Sequence, residues 1–234
     1  AGSVSLDKCY IEVGPGKEIP APTTPNNPQN PPQIMLCAAG TYSNESKTVY
    51  YKAGDKKECT LCPVDNYQPN QGQTSCIHCP SGYTSPRGAT KCTPKTYTVT
   101  LDNDNATNAG TKTEYQKYNT GWYSDSGTTN QITKITNPSK NGYKYDGYYA
   151  FPLGGGSTVV FSNSYFVNNT PTIFSDTSTD YKIYAKWIAN KYYVAFDKNS
   201  SEATGTMSNQ NFTYGVSQNL TASNYSRTGF SFEG

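Results

Sequence analysis

The chain holds 234 residues, of which 34% are hydrophobic and 15% charged, with a formal net charge of +2. So little apolar side chain argues against one large core, and so small an excess of cations argues against nucleic acid as a partner. No window approaches the roughly 20 apolar residues of a membrane-spanning helix, so no span is expected in this segment.

The polarity is uncharged, carried by Asn, Thr, Ser and Gln together with 21 Tyr. β-branched and aromatic side chains suit a pleated, half-buried surface, and helix-forming runs are sparse, so the predicted fold class is mainly β. Ala1–Asp7 lacks a basic region followed by an apolar one, and an exported form is expected to have lost its signal peptide already.

Residues 1–36 open on the alternation Cys9-Tyr-Ile-Glu-Val13 and continue into the proline-rich run Gly14 to Pro32. Repeated prolines fix φ and remove donors, which predicts an extended, semi-rigid linker; a docking motif for a proline-reading domain is the sharper alternative. Cys9 is the odd cysteine of seven and is expected to stay unpaired or to cross-link to another molecule.

Residues 37–95 contain the other six cysteines and repeat internally. Cys37-Ala-Ala-Gly-Thr-Tyr42, Cys62-Pro-Val-Asp-Asn-Tyr67 and Cys79-Pro-Ser-Gly-Tyr83 each open a unit. Gly-Asp-Lys-Lys-Glu-Cys59, Gly-Gln-Thr-Ser-Cys76 and Gly-Ala-Thr-Lys-Cys92 close them. Taken alone, the two CxxC pairs at Cys59/Cys62 and Cys76/Cys79 fit a zinc ribbon as well as a disulfide framework. The zinc reading leaves Cys37 and Cys92 without a role, and the only histidine, His78, lies between two better ligands and reads as an exposed loop residue. No metal is therefore expected, and disulfides are the preferred reading.

This pattern resembles the ephrin-receptor-like Cys-rich repeat, with Ala38 where the other two units have proline. The resemblance implies an extracellular rod of three units, laddered by Cys37 with Cys59, Cys62 with Cys76, and Cys79 with Cys92.

Residues 96–234 lack cysteine and show a second internal repeat. Tyr97-Thr-Val-Thr-Leu-Asp102 matches Tyr192-Tyr-Val-Ala-Phe-Asp197, and Asn141-Gly-Tyr-Lys-Tyr-Asp-Gly147 matches Thr228-Gly-Phe-Ser-Phe-Glu-Gly234. With Asp180-Tyr-Lys-Ile-Tyr-Ala-Lys-Trp187 closing the first copy, these anchors resemble the Listeria-Bacteroides repeat, also called the internalin B-repeat. That resemblance implies a bacterial surface protein and β-grasp-like units with at most one short helix. Residues 96–188 read as one complete repeat and 189–234 as a partial second one. Half a sheet cannot bury its apolar face, so either the natural chain continues past Gly234 or a neighbouring chain supplies strands.

Within the first copy, alternation at Val99/Leu101, Tyr143/Tyr145 and Ile183/Ala185 predicts half-buried strands. Asp102-Asn-Asp-Asn105 and Pro152-Leu-Gly-Gly-Gly156 read as turns, the former without the glycine and glutamate of a calcium loop. Tyr143, Tyr145 and Tyr184 are expected in the core, whereas Tyr148 and Tyr149 are the candidates for stacking on a ligand. Sequons begin at Asn44, Asn105, Asn168 and Asn211, as often as so Asn- and Thr-rich a composition produces them.

No nucleophile, base or carboxylate pair sits in a persuasive frame, so no enzyme and no cofactor are expected. The expected function is that of an extracellular or cell-surface structural or adhesive protein, a stalk, spacer or filament component. Its expected partners are other protein chains, host or cell-surface glycans, or further copies of itself. A carbohydrate-binding, lectin-like module is the alternative.

Overall fold

The computed structural model describes residues 8–20, 32–167, 178 and 180–233. Most of the proline-rich run, residues 21–31, lies outside the described residues, as do the sequon at Asn168 and the terminal Gly234. The chain is mainly β, with a disulfide-rich part and a Cys-free part that form two compact bodies.

The first body is built from very short strands: β1 (Tyr10–Val13), β2 (Lys17–Glu18), β3 (Met35–Leu36), β4 (Thr41–Tyr42), β5 (Lys47–Tyr50), β6 (Thr60–Leu61), β7 (Asn66–Tyr67), β8 (Ile77–His78), β9 (Tyr83–Thr84) and β10 (Thr93–Pro94). β4 pairs with β6, β7 with β8 and β9 with β10, each pair antiparallel. Every such pair begins just after a hydrogen-bonded turn whose third residue has a left-handed backbone: Gly40 at φ +83°, Asp65 at +61° and Gly82 at +80°. Glycine adopts that backbone freely and aspartate tolerates it.

The structure repeats this arrangement once more upstream, where a linker was expected. Gly16 has φ +69° and β2 pairs with β3. Val13-Gly-Pro-Gly16 therefore stands where Cys37-Ala-Ala-Gly40 stands one unit later, and Ile34-Met-Leu-Cys37 corresponds to Cys59-Thr-Leu-Cys62. Val13 and Ile34 occupy the opening and closing cysteine positions. In place of a disulfide, this head unit has an apolar cluster of Val13, Ile19 and Val49 with Ile11 packed against it, and β1 pairs with β5 over four residues. Prolines at 15 and 20 are compatible with this because they sit in the turn and at the end of the paired stretch.

The second body centres on a sheet of β11 (Thr96–Asp102), β12 (Thr113–Lys117), β13 (Gly121–Tyr123), β14 (Gln131–Ile132), β15 (Tyr143–Phe151), β16 (Gly155–Phe161) and β17 (Asp180–Ala189). Its order is β14-β13-β12-β11-β17-β15-β16, with β11 and β17 parallel at the centre. The run β12-β11-β17-β15-β16 is the strand order of a β-grasp sheet; among the described residues no α-helix accompanies it, only a 3-10 turn at Pro152–Gly154. One face buries Val99, Leu101, Trp122, Tyr148, Val159, Val160, Ile183 and Ala185, and the Trp122 ring stacks on Phe166 at 4.1 Å.

β15 carries a bulge. Tyr145 pairs with Trp187, but the next registered pair is Tyr148 with Ala185, three residues along one strand against two along the other. Gly147 accommodates the bulge at φ +112°, and a Cβ there would stand 2.4 Å from the Val160 carbonyl oxygen. A hairpin of β18 (Lys191–Val194) and β19 (Gln210–Thr213) follows. Its surroundings copy the sheet: the bridge between Thr204 and Ser226 repeats that between Asn108 and Ser139.

Candidate functional site

The Cys-rich ladder is held at three levels. Disulfides join Cys37 to Cys59, Cys62 to Cys76 and Cys79 to Cys92, across sequence separations of 22, 14 and 13 residues. Closing loops of this length removes unfolded-state entropy worth about 3 kcal/mol each in the chain-entropy account. Each CxxC is a junction, the end of one unit and the start of the next. Joined sulfurs offer no thiolate to a metal. His78 lies exposed on β8 rather than in a loop.

Backbone hydrogen bonds then stitch unit to unit. The Cys37 N–H donates to the Gly16 carbonyl at 2.9 Å, that of Cys62 to Gly40 at 2.9 Å and that of Cys79 to Asp65 at 2.8 Å. In return the Gly72 N–H reaches the Cys37 carbonyl and the Gly88 N–H reaches that of Cys62, both at 2.8 Å. The glycine before each of these closing cysteines has a steric reason as well: Leu36 lies over Gly72 and Leu61 over Gly88, within 3.2 and 2.9 Å of where a Cβ would stand.

Polar side chains finish the packing. Lys57, 6% exposed, donates to the Gly14 and Lys17 carbonyls at 2.8 and 2.9 Å and so ties the first disulfide unit to the head unit. Burial draws its pKa below the usual lysine value. With its backbone held in this way, the ladder leaves Met35, Leu61, Val64 and Ile77 exposed. Cys9 is half-buried and carries a free thiol, and its carbonyl accepts the Tyr51 N–H at 2.8 Å.

The two tyrosines singled out for ligand stacking part company. Tyr148 is 0% exposed, its hydroxyl donating to Asn103 Oδ1 at 2.6 Å, and cannot meet a ligand. The bulge is the physical reason. Continued alternation from Tyr143 and Tyr145 puts 147 and 149 on the core face, but the extra residue brings Tyr148 and Ala150 there instead.

Tyr149 sits half-buried on the opposite face, paired across strands with Tyr184, which is thus outside the core in which the sequence pattern placed it. Lys186 Nζ lies 5.0 Å above the Tyr149 ring and 3.1 Å from Asp146; Lys182 Nζ lies 5.8 Å above the Tyr184 ring and 3.0 Å from Asp102. The backbone N–H of Asp104 and the Lys182 ammonium hold the Asp102 carboxyl below its ordinary range. Two neighbouring tyrosines with two cations and two anions thus make up an electrically balanced aromatic patch on this face.

Glu114 was not singled out in the sequence. It points from β12 into the body at 6% exposure, Oε2 has no hydrogen-bond partner, and burial pushes its pKa up to about 7. Gln116, two residues on and also buried, shares its side of the strand. That one-residue spacing between two polar side chains on a strand was the only available signal.

A family described as tyrosine-protein kinase ephrin type A/B receptor-like matches residues 48–94, which hold five of the six ladder cysteines. No curated protein and no solved structure matches the chain. The similarity covers 47 of the 234 residues and does not reach residues 96–234. Together with the three disulfides it indicates an extracellular-type interaction module, and among the described residues no helix is long and apolar enough to cross a membrane.

Proposed function

We propose that this chain is a non-enzymatic structural or adhesive protein of a bacterial cell surface or secreted filament, in which the Cys-rich ladder spaces and presents binding surfaces to other protein chains. The observation that carries the reading is the ephrin-receptor-like match over a segment fastened by disulfides, because such fastening suits an oxidising exterior. The likeness of residues 96–234 to Listeria-Bacteroides repeats belongs to the same proposal and supports a modular surface protein.

Beads coated with the oxidised chain should attach to cells or to chain-coated surfaces, and mild reduction should abolish the attachment. Equal attachment before and after reduction would sink the role given to the ladder. Assembly through Cys9 is read on a non-reducing gel, where wild type should run as a dimer and Cys9→Ser as a monomer; monomers in both remove that cross-link.

A second reading, glycan binding, is favoured by the Tyr149 and Tyr184 platform, whose aromatic rings and paired charges suit a neutral sugar. Titration with neutral oligosaccharides should saturate and should weaken in Tyr149→Ala and Tyr184→Ala. Failure of every sugar to bind removes this reading and leaves the first intact.

A further inference from the structure

The six ladder cysteines are not equivalent. The opening cysteine of every bridge is sealed in its unit: Cys37 and Cys62 are 0% exposed and Cys79 is 3% exposed. The closing cysteine of every bridge, Cys59, Cys76 or Cys92, is only half-buried and keeps part of its surface in solvent. The stitching between units follows the same division. Each opening cysteine gives its N–H to a turn of the preceding unit, and the Cys37 and Cys62 carbonyls accept from glycines of the following unit. Cys59 instead gives its N–H to the Glu18 carboxylate at 3.2 Å.

Thiol–disulfide exchange is an in-line displacement, so the incoming thiolate, the attacked sulfur and the departing sulfur must align. Attack on a closing sulfur comes from solvent, with the opening sulfur behind it as the leaving group. Attack on an opening sulfur has to come through the interior of the unit, where a thiol has no path. A sulfur departing into that interior is poorly solvated, so burial slows the first route, but it closes the second. The three closing sulfurs differ in their charged neighbours. Exposed Lys91 directly precedes Cys92, and Cys76 lies between uncharged Ser75 and Ile77. Cys59 follows Glu58, which Lys56 offsets at 2.6 Å, and also has the Glu18 carboxylate on its N–H. An anionic nucleophile is drawn to the first of these and repelled by the last.

We propose that the closing cysteines are covalent acceptor sites for thiols, entered by exchange at Cys92 before Cys76 and Cys59. The incoming thiol, having lost its proton to solvent, bonds through sulfur to Cys92 Sγ. The Cys79–Cys92 bond breaks, its electron pair goes to Cys79 Sγ, and that sulfur takes up a proton. One thiol and one disulfide give one mixed disulfide and one thiol, so no outside oxidant is needed. The third unit is thereby the one that a thiol opens or is tethered to, whether a small monothiol or the free Cys9 of a second copy. The inference stands on how the fold buries the six sulfurs and does not depend on the adhesive reading.

The test incubates the full 234-residue chain with reduced glutathione, quenches with N-ethylmaleimide and maps both labels by peptide mass spectrometry. At early times glutathione should sit on Cys92 and maleimide on Cys79, with glutathione on Cys76 and Cys59 following. Glutathione found as often on Cys37, Cys62 or Cys79 overturns the proposal. In concentrated urea the preference within each bridge should vanish; a preference that survives there belongs to the local sequence and overturns the role given to the fold. Cationic cysteamine in place of glutathione, or Lys91→Glu in the chain, should cut the lead of Cys92 over Cys59 about threefold at low salt. An unchanged ratio in both overturns the order of entry. Without added thiol, a dimer bridged from Cys9 to a closing cysteine supports the proposal with the second copy as the source, and a bridge to an opening cysteine counts against it.

Discussion

The two bodies of this chain solve one problem in opposite ways. Among the described residues, the Cys-rich body has strands of two to four residues and a single apolar cluster of Val13, Ile19 and Val49, so its order depends on covalent loops and repeated backbone hydrogen bonds. The Cys-free body has strands of up to ten residues and buries Trp122, Tyr148, Ile183 and their neighbours on one face. Polar, weakly charged composition is common to both. What differs is whether sequence-local staples or a sheet-wide apolar face holds the chain together, and each body should answer to its own perturbation.

Reduction should draw the sharpest line between them. Three disulfides at about 3 kcal/mol each exceed what so small a core supplies, so dithiothreitol should unfold residues 37–94 and leave the sheet folded. Amide spectra should lose ladder resonances and keep those of β11 and β17; simultaneous loss of both would show that the bodies are not independent. The converse break is Tyr148→Ala. Removing a fully buried aromatic with its hydrogen bond to Asn103 should cost the sheet about 3 to 5 kcal/mol in denaturant titration, with the oxidised ladder unaffected.

A finer test uses acid. Glu114 has a folded pKa near 7 against 4.5 for its ordinary value, so between these values the folded state holds the proton more tightly than the unfolded one. The stability of the sheet should therefore fall as pH rises from about 4.5 to 7 and level off above it, by on the order of 3 kcal/mol in total. Glu114→Gln should flatten that dependence and raise the urea midpoint at pH 8. An unchanged midpoint there means the carboxyl reaches water.

A disulfide-bonded, mainly β chain was legible because Thr, Tyr and Val are abundant and the cysteines recur with fixed companions, a tyrosine after each opening cysteine and a glycine shortly before each closing one. The head unit is not legible in the sequence because its markers are substituted: Val13, in the apolar cluster, and Ile34, exposed, stand where the other units have cysteines, and prolines at 15 and 20 suggest an open linker. Its surviving sign was Gly16, in the same place as Gly40 and Gly82. The turn at Asp102 to Asn105 could be read directly, since the Asp102 carboxylate accepts the Asp104 N–H at 3.0 Å and both Asp104 and Asn105 adopt positive φ. Tyr148 and Glu114 could not be read from pattern alone. One depends on a bulge and the other on which side of β12 the body covers, and both are decided by tertiary packing.

The bulge at Gly147 behaves as a parity bit for the strand that contains it. Delete one residue there and each side chain from 148 to 151 exchanges surfaces: Tyr149 and Phe151 turn inward, while Tyr148 and Ala150 meet solvent. The same letters would then encode a different exterior, with Tyr149 and Phe151 on the solvent side replaced by Tyr148 and Ala150, now sealed inside. Whatever recognises the solvent side of this sheet is therefore reading the presence of a single glycine that it never touches.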